Sequence, residues 1–332
     1  MTAARASRML GAPDRFRFLF GRGMMSDDTE HSCMVAESLI ESASDESTFD
    51  IRQFEASFVK RLRWWLLGLP AGTGLATLRA CLRLVFGVPS CRSGVFSAGN
   101  GPAMRAAILG AAVDDPIQLR QLVHCSTRIT HTDPRAEAGA LIVAAAAQIS
   151  RRAELPTANA LFHYLKELDF DFSENAGSLL ELIRAAVDSV NRQETTASFA
   201  ASIGVAGFVT GFVDHTVPVS VHAWLSYPED WELAVQAVIR CGGDADTTAA
   251  ITGGIVGCRV GVDGIPMRLR RNFADWPRSL SRLEQLGHAL AKRGDNSQPA
   301  VKKAGYLALL LRNLVFVPTV LFHGFRRILP PY

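Results

Sequence analysis

The sequence has no Cys-x-x-Cys pair. Its six cysteines, Cys33, Cys81, Cys91, Cys125, Cys241 and Cys258, are scattered along 332 residues. Neither a zinc site nor a disulfide framework is implied, and the thiols read as reduced ones in a cytoplasmic protein. Charge of one sign is also scarce: 35 basic against 32 acidic residues leave a net charge of only +3. The basic residues form no single patch, so no specific nucleic-acid binding is expected. No charged-then-apolar leader opens the chain, because Arg5, Arg8, Arg15, Arg17 and Arg22 interrupt every apolar run. No signal peptide is therefore read. No internal repeat is visible.

What the chain does have is a pair of acidic clusters far apart. Ser26-Asp27-Asp28-Thr29 lies near the start, and Gly242-Gly243-Asp244-Ala245-Asp246-Thr247-Thr248 lies in the last third. Each gathers two carboxylates and neighbouring hydroxyls with no basic residue among them. Hard divalent cations such as magnesium take oxygen ligands of this kind. Carboxylates crowded into one pocket need cations to neutralise them. If the fold joins the clusters, they make a two-metal site of the type that activates water. The other reading is that each is an ordinary acidic N-cap, since each precedes a helical pattern. After Asp28, Val35, Ala36, Leu39, Ile40 and Ala43 keep an i, i+4 rhythm, with Asp28 or Thr29 as the cap and Glu30 favourable to the dipole. After Asp246, Ala249, Gly253 and Gly257 share one helical face that suits close approach of another helix.

Helical patterns dominate elsewhere. The run 136–149 is rich in alanine and aliphatics, and Asp133-Pro134 before it supplies a cap and a proline at the first helical position. Residues 179–190 and 231–239 also show helical spacing, and 62–88 reads as two helices joined at Gly68, Pro70, Gly72 and Gly74. The β-branched run 217–221 could be a strand, although Pro218 argues against a central one. A hydrophobic share of 48% is ample for a core. The expected class is all-α, a compact single-domain helical bundle.

Two further segments are site candidates. The loop Gly99-Asn100-Gly101, leading through Met104-Arg105 into an alanine-rich helix, is either a plain turn or a backbone cradle for a diphosphate. Arg105 stands outside the site as a candidate structural ion-pair partner. His131, in Thr130-His131-Thr132-Asp133-Pro134, is either a cap or partly buried polar group, or a ligand contact. Trp224, Trp231 and Trp64-Trp65 read as packing, while Phe208 and Phe212 could border a nucleotide pocket.

The stretches Gly23-Met24-Met25-Ser26-Asp27-Asp28-Thr29-Glu30, Ser97-Ala98-Gly99-Asn100-Gly101-Pro102-Ala103-Met104-Arg105, Ile129-Thr130-His131 and Gly242-Gly243-Asp244-Ala245-Asp246-Thr247 resemble, in order and separation, the motifs of the ADP-ribosylglycohydrolases. Ser26 and Ala245 stand where that family more often has threonine. The resemblance implies an orthogonal helical bundle and hydrolysis of the bond joining ADP-ribose to a protein or related conjugate. It implies two magnesium ions, with manganese as substitute, held by Ser26, Asp27, Asp28, Asp244, Asp246 and Thr247. Asp27 or Asp28 would act on the attacking water, and Gly99, Asn100, Gly101 and His131 would contact the substrate. A catalytically impaired binding protein and a hydrolase of another nucleotide conjugate stay open as alternatives.

The family's opening Gly-Asp-Ala-Leu-Gly type helix has no counterpart here, Asp14 being the sole acidic residue before Ser26. The expected organisation is an arginine-rich lead over 1–20, the glycohydrolase-like domain over 21–293 and a tail over 294–332. A start codon misplaced downstream, with weak folding and activity as its consequence, is the expectation that follows. The tail is apolar over 307–325 apart from Arg312, and Lys302-Lys303 and Arg326-Arg327 flank it. It is expected either to dock on the bundle or another chain, or to lie on anionic lipid as a peripheral contact.

Overall fold

A computed structural model describes residues 1–18, 20–45, 48–152, 154–273, 275–293 and 305–326. The helices in chain order are α1 (Ala3–Leu10), α2 (Asp27–Ser42), α3 (Ile51–Leu67), α4 (Leu75–Val85), α5 (Ser90–Ser93), α6 (Ala107–Ala112), α7 (Pro116–Arg128), α8 (Pro134–Ser150) and α9 (Ala158–Glu167). They continue as α10 (Phe172–Asn191), α11 (Thr196–Ser202), α12 (Val213–Ser226), α13 (Trp231–Ile239), α14 (Ala245–Val260), α15 (Met267–Arg271), α16 (Leu280–Ala291) and α17 (Tyr306–Arg326). A 3-10 turn, Ala103–Arg105, precedes α6. Among the described residues there is no strand longer than an isolated bridge. The class is all-α, as the sequence patterns indicate.

The bundle is built around α8. Asp133 caps it by accepting from the Arg135 N–H, and Pro134 takes the first helical position, where its missing N–H has no helical partner to lose. Every residue from Ala136 to Ser150 is buried, because a helix apolar on all sides must sit at the centre. Helices α6, α7, α9, α10, α12 and α14 surround it. The small side chains let these neighbours approach closely, and Gly139 faces Val213 of α12.

Three local expectations change. The run 217–221 is not a strand but the middle of α12, with Pro218 inside the helix; burial of Val217, Val219 and Val221 in the core outweighs their β propensity. Helix α2 starts one residue before the expected cap, at Asp27, with Ser26 as N-cap. The Ser26 hydroxyl donates to Asp28 Oδ2 (2.6 Å) rather than capping a backbone N–H. On α14 the expected small-residue face is only partly used: Gly253 lies against the Trp231 indole, nothing approaches Gly257, and the tight contact is Gly254 on Ala107.

The apolar tail is helix α17. By length and composition it is long and apolar enough to cross a membrane, and 17% of it is buried. It docks on the bundle through polar groups as much as through Phe316. Arg312 reaches Asp275 (2.7 Å) and the Met25 carbonyl (2.7 Å), Asn313 donates to the Gly68 carbonyl (2.7 Å), and the Tyr306 hydroxyl donates to that of Leu67 (2.8 Å). Leu307, Leu311, Leu314, Phe322 and Phe325 face outward. The linker 294–304 and the flanking Lys302, Lys303 and Arg327 lie outside the described residues.

Candidate active site

The two acidic clusters come together. Helices α2 and α14 touch, and their first turns lie together: Asp27 feels the charge of Asp246, and Asp28 those of Asp244 and Asp246 with the Thr247 hydroxyl beside it. The mutual repulsion registers in their titration. Burial first, then the charges of Asp28, Asp246 and Glu30, hold the Asp27 carboxyl well above the usual range. Burial also raises Asp28, with the Ser26 hydroxyl opposing it and Asp246 and Asp244 adding to it. Asp244 is raised by burial and Asp246, against the hydrogen bond from Asn100. The Thr247 hydroxyl stands close enough to Asp28 and Asp244 to oppose the rise in both. Oδ1 of Asp28 is buried with no hydrogen-bond partner among the described residues.

Loops rather than helices set the rest of the site, and single bridges tie them together. Gly99 pairs with Phe212, Val95 with His131, and Val209 with Gly243. The Gly242-Gly243 turn has φ of +70° and +77°, a region open to glycine at little cost. A Cβ at Gly243 would collide with the Val209 backbone. This turn lets the Asp244 N–H donate to the Val209 carbonyl (2.7 Å) and aims Asp244 at Asn100, whose Nδ2 donates to its Oδ2 (2.7 Å). The loop after α3 closes the other side, with Gly72 near Asp27 Oδ1.

The glycines flanking Asn100 have a definite cause. A Cβ at Gly99 would lie 3.0 Å from His131 Nε2, and one at Gly101 would lie 2.9 Å from Cε1. The buried imidazole thus occupies the space that side chains would need, and the loop seats on it. Two of the loop's N–H groups are used internally, Gly99 toward Ser97 Oγ (3.2 Å) and Asn100 toward the Gly211 carbonyl (3.0 Å). The full backbone cradle anticipated for a diphosphate is therefore reduced to Gly101. Phe212, paired with Gly99, stands half exposed at the rim, and Phe208 is also half exposed.

Arg105 is not an ion-pair partner. It is fully buried with no carboxylate beside it among the described residues, and it donates to Ser126, Thr130 and His31. The sequence reading also missed the charges behind α2. Glu30 is 3% exposed and accepts from Arg278 (2.7 Å) and from the Trp65 indole (2.6 Å). Asp275 accepts from the Met25 N–H (2.9 Å) and pairs with Arg312. These side chains hold Met25 and Glu30 on either side of Ser26-Asp27-Asp28. The only local trace of them was an acidic residue in a first helical turn.

As a metal centre the donor set is mixed. Among the described residues no three His, Cys, Asp or Glu side chains close on one point at metal-ligand spacing. The candidate set includes the hydroxyls of Ser26 and Thr247. The unpartnered Asp28 Oδ1 and the raised carboxylates are what a cation would satisfy, so the residues fit one.

The sequence model of the ADP-ribosylglycohydrolase family matches residues 2–300. The chain belongs to that family. It is 30% identical over 240 residues to an uncharacterised protein of Archaeoglobus fulgidus, covering 71% of this chain and 72% of the relative. It is 26% identical over 248 residues to the ADP-ribosyl-[dinitrogen reductase] glycohydrolase of Rhodospirillum rubrum, covering 74% and 71%. To the ADP-ribosylhydrolase ARH3 of Homo sapiens it is 25% identical over 202 residues, 52% of this chain and 53% of that one. A solved ADP-ribosylglycohydrolase-related protein complex shares the fold at a TM-score of 0.56 and 24% identity, covering 88% of this chain and 95% of that one. The chain is thus a hydrolase, and the activity its family supports is hydrolysis of an ADP-ribosyl bond.

Proposed function

We propose that the chain is a magnesium-dependent hydrolase, with manganese as substitute, that cleaves the N- or O-glycosidic bond between ADP-ribose and a protein side chain or related conjugate. The observation that carries the reading is the meeting of Asp27 and Asp28 with Asp244, Asp246 and Thr247 around an unpartnered buried carboxylate oxygen. Two cations would be held by Ser26, Asp27, Asp28, Asp244, Asp246 and Thr247; when bound they lower the pKa of a water and orient hydroxyls.

The side chains divide the remaining work. Asp27 or Asp28 orients the attacking water and takes its proton. Asn100, fixed by Asp244, and the Gly101 N–H offer donors to the ribose or diphosphate, with His131 beneath them. Phe212 and Phe208 border the nucleotide at the rim. The leaving group departs from an oxocarbenium-like centre, so donors placed against the ribose matter most in the transition state. A cytoplasmic setting fits the six unpaired cysteines.

The test is turnover of defined ADP-ribosyl conjugates (on arginine, on serine, on a nucleic-acid base, on a small molecule), with magnesium, with manganese and with chelator. Release of ADP-ribose from at least one, abolished by chelator and restored by magnesium, is expected. Chelator-insensitive turnover would overturn the metal part. Among the described residues no three acidic or imidazole side chains group at metal-ligand spacing, which favours a second reading, an ADP-ribose-binding protein with impaired catalysis. Tight ADP-ribose binding without turnover of any conjugate would select it, and turnover confined to another nucleotide conjugate would select a different substrate class.

A further inference from the structure

We propose that His131 meets the substrate as a neutral hydrogen-bond donor through Nε2–H, and that Arg105 enforces this tautomer through the Thr130 hydroxyl. The inference rests on the reading of His131 as a substrate contact.

The chain of donors runs in one direction. Arg105 Nη2 lies 2.7 Å from Thr130 Oγ1, and a guanidinium only donates. The Thr130 hydroxyl therefore accepts there and has one proton left to give. Two acceptors are within reach: His131 Nδ1 at 2.9 Å and the Thr127 carbonyl at 3.4 Å. The shorter contact is within ordinary hydrogen-bond range and the longer is at its margin, so the proton goes to Nδ1. With Nδ1 accepting, the ring carries its hydrogen on Nε2. That nitrogen has no partner among the described residues, and it lies against Gly99 and Gly101 in the loop beside Asn100.

The surroundings keep the ring neutral. The titratable groups nearest it are Arg105, Asp133 and His31. Arg105 is fully buried and cationic, Asp133 is bound to Arg135, and burial and Arg105 hold His31 well below its usual pKa. Burial and the Arg105 charge push His131 down to about 3, with Asp133 opposing. Its Nε2–H can hold a diphosphate or ribose oxygen but cannot take a proton at that atom. Arg105 has other reasons to stay in place: it donates to the Ser126 hydroxyl (3.1 Å) and carbonyl (2.8 Å) and lies over the Phe58 ring. Arg105 and Thr130 are thus positioning residues, and His131 is the group that touches substrate.

The experiment is long-range proton–nitrogen NMR on the full chain labelled with 15N-histidine, run from pH 5 to pH 8 without substrate. His131, assigned by comparison with His131→Gln, is expected as the neutral Nε2–H tautomer throughout. Thr130→Val keeps the shape but removes the relaying proton, so a mixture of tautomers is expected, whereas Thr130→Ser retains the wild-type signature. On a hydrolysed conjugate, Thr130→Val should raise KM roughly tenfold with a smaller change in kcat, the scale of one lost hydrogen bond to a charged group. A wild-type ring protonated at Nδ1, or cationic at pH 7, would overturn the proposal even if Thr130→Val failed to fold. So would a Thr130→Val spectrum matching Thr130→Ser. Because the spectra need no turnover, failure of the hydrolase reading would show separately, as absent activity with the tautomer as expected.

Discussion

At the start of α2, Asp28 and Glu30 are inside the protein and Asp27 is half-buried. Asp28 is 1% exposed, and Met25 and Glu30 on either side are held from behind by Asp275, Arg278 and Arg312. At the start of α14, Asp246 is exposed and Asp244 half-buried, and the backbone does the holding: two left-handed glycines and one bridge to Val209. One half of the site is thus fixed by side-chain charges drawn from the far end of the chain. The other is fixed by a turn whose backbone bonds to Val209 and to the Met1 carbonyl and whose Asp244 accepts from Asn100. A buried carboxylate pays for its desolvation and depends on its supports, whereas an exposed one depends on the geometry of its turn.

The largest expected effect should appear on both sides. Asp28→Asn and Asp246→Asn should each lower turnover by roughly 10³-fold or more, because each removes charge at the reacting centre. Their effects on the metal-free protein should differ. Asp28→Asn should raise stability by about 1 kcal/mol through relief of a buried, repelled charge, while Asp246→Asn should stay within about 0.5 kcal/mol. Equal stability changes in urea unfolding would erase the distinction between the two halves.

Arg312→Met attacks the α2 side alone. Leaving Asp275 and Glu30 less compensated in the interior should cost about 3–5 kcal/mol. Hydrogen exchange should accelerate at Met25–Asp28 and stay unchanged at Val209 and Asp244. Acceleration in both places would mean that the halves share one support.

Gly243→Ala is the matching test of α14. A left-handed position with no room for a Cβ should cost about 2–3 kcal/mol, read from the unfolding midpoint, and should lower magnesium affinity. Gly257→Ala, where nothing lies within 4 Å, should be neutral or slightly stabilising and serves as the control.

The smallest effect is a pH dependence. Asp27 and Asp28 have folded-state pKa values above those of the unfolded chain. The folded state therefore favours their protonated forms, and that contribution is complete below roughly pH 4 and lost as pH rises through the folded values. Thermal melts in chelator should show stability falling by about 1–2 kcal/mol between pH 5 and 8. Saturating magnesium should remove most of the slope, and so should the double change Asp27→Asn with Asp28→Asn, whereas Asp28→Asn alone should only reduce it, because burial is the first cause of the rise at Asp27. A slope that persists in the double variant would assign it elsewhere.

Much of the molecule was legible in one dimension. Asp133-Pro134 marks the start of α8 because capping and a missing N–H act within a few residues. The turn at 68–74 and the helix Trp231–Ile239 fall where glycine, proline and 3.6-residue spacing put them. The acidic pairs and the Gly-Asn-Gly loop were visible as residue types before any partner was known. The β-branched run 217–221 misled because β propensity is read locally, while the burial that overrides it comes from the surrounding bundle.

The sequence by itself determined most of the helical segments, the cap of α8 and which segments supply the candidate site, since hydrogen bonding, side-chain period and backbone freedom are set by near neighbours. Only the tertiary structure decided that Asp28 meets Asp246, that His131 lies under Gly99 and Gly101, and that Arg278 and Arg312 bind Glu30 and the segment ahead of it. Those pairings span from about thirty to nearly three hundred residues. They leave no periodic trace, because a charge or a ring specifies its partner through space, and packing around α8 sets which distant segments come within reach.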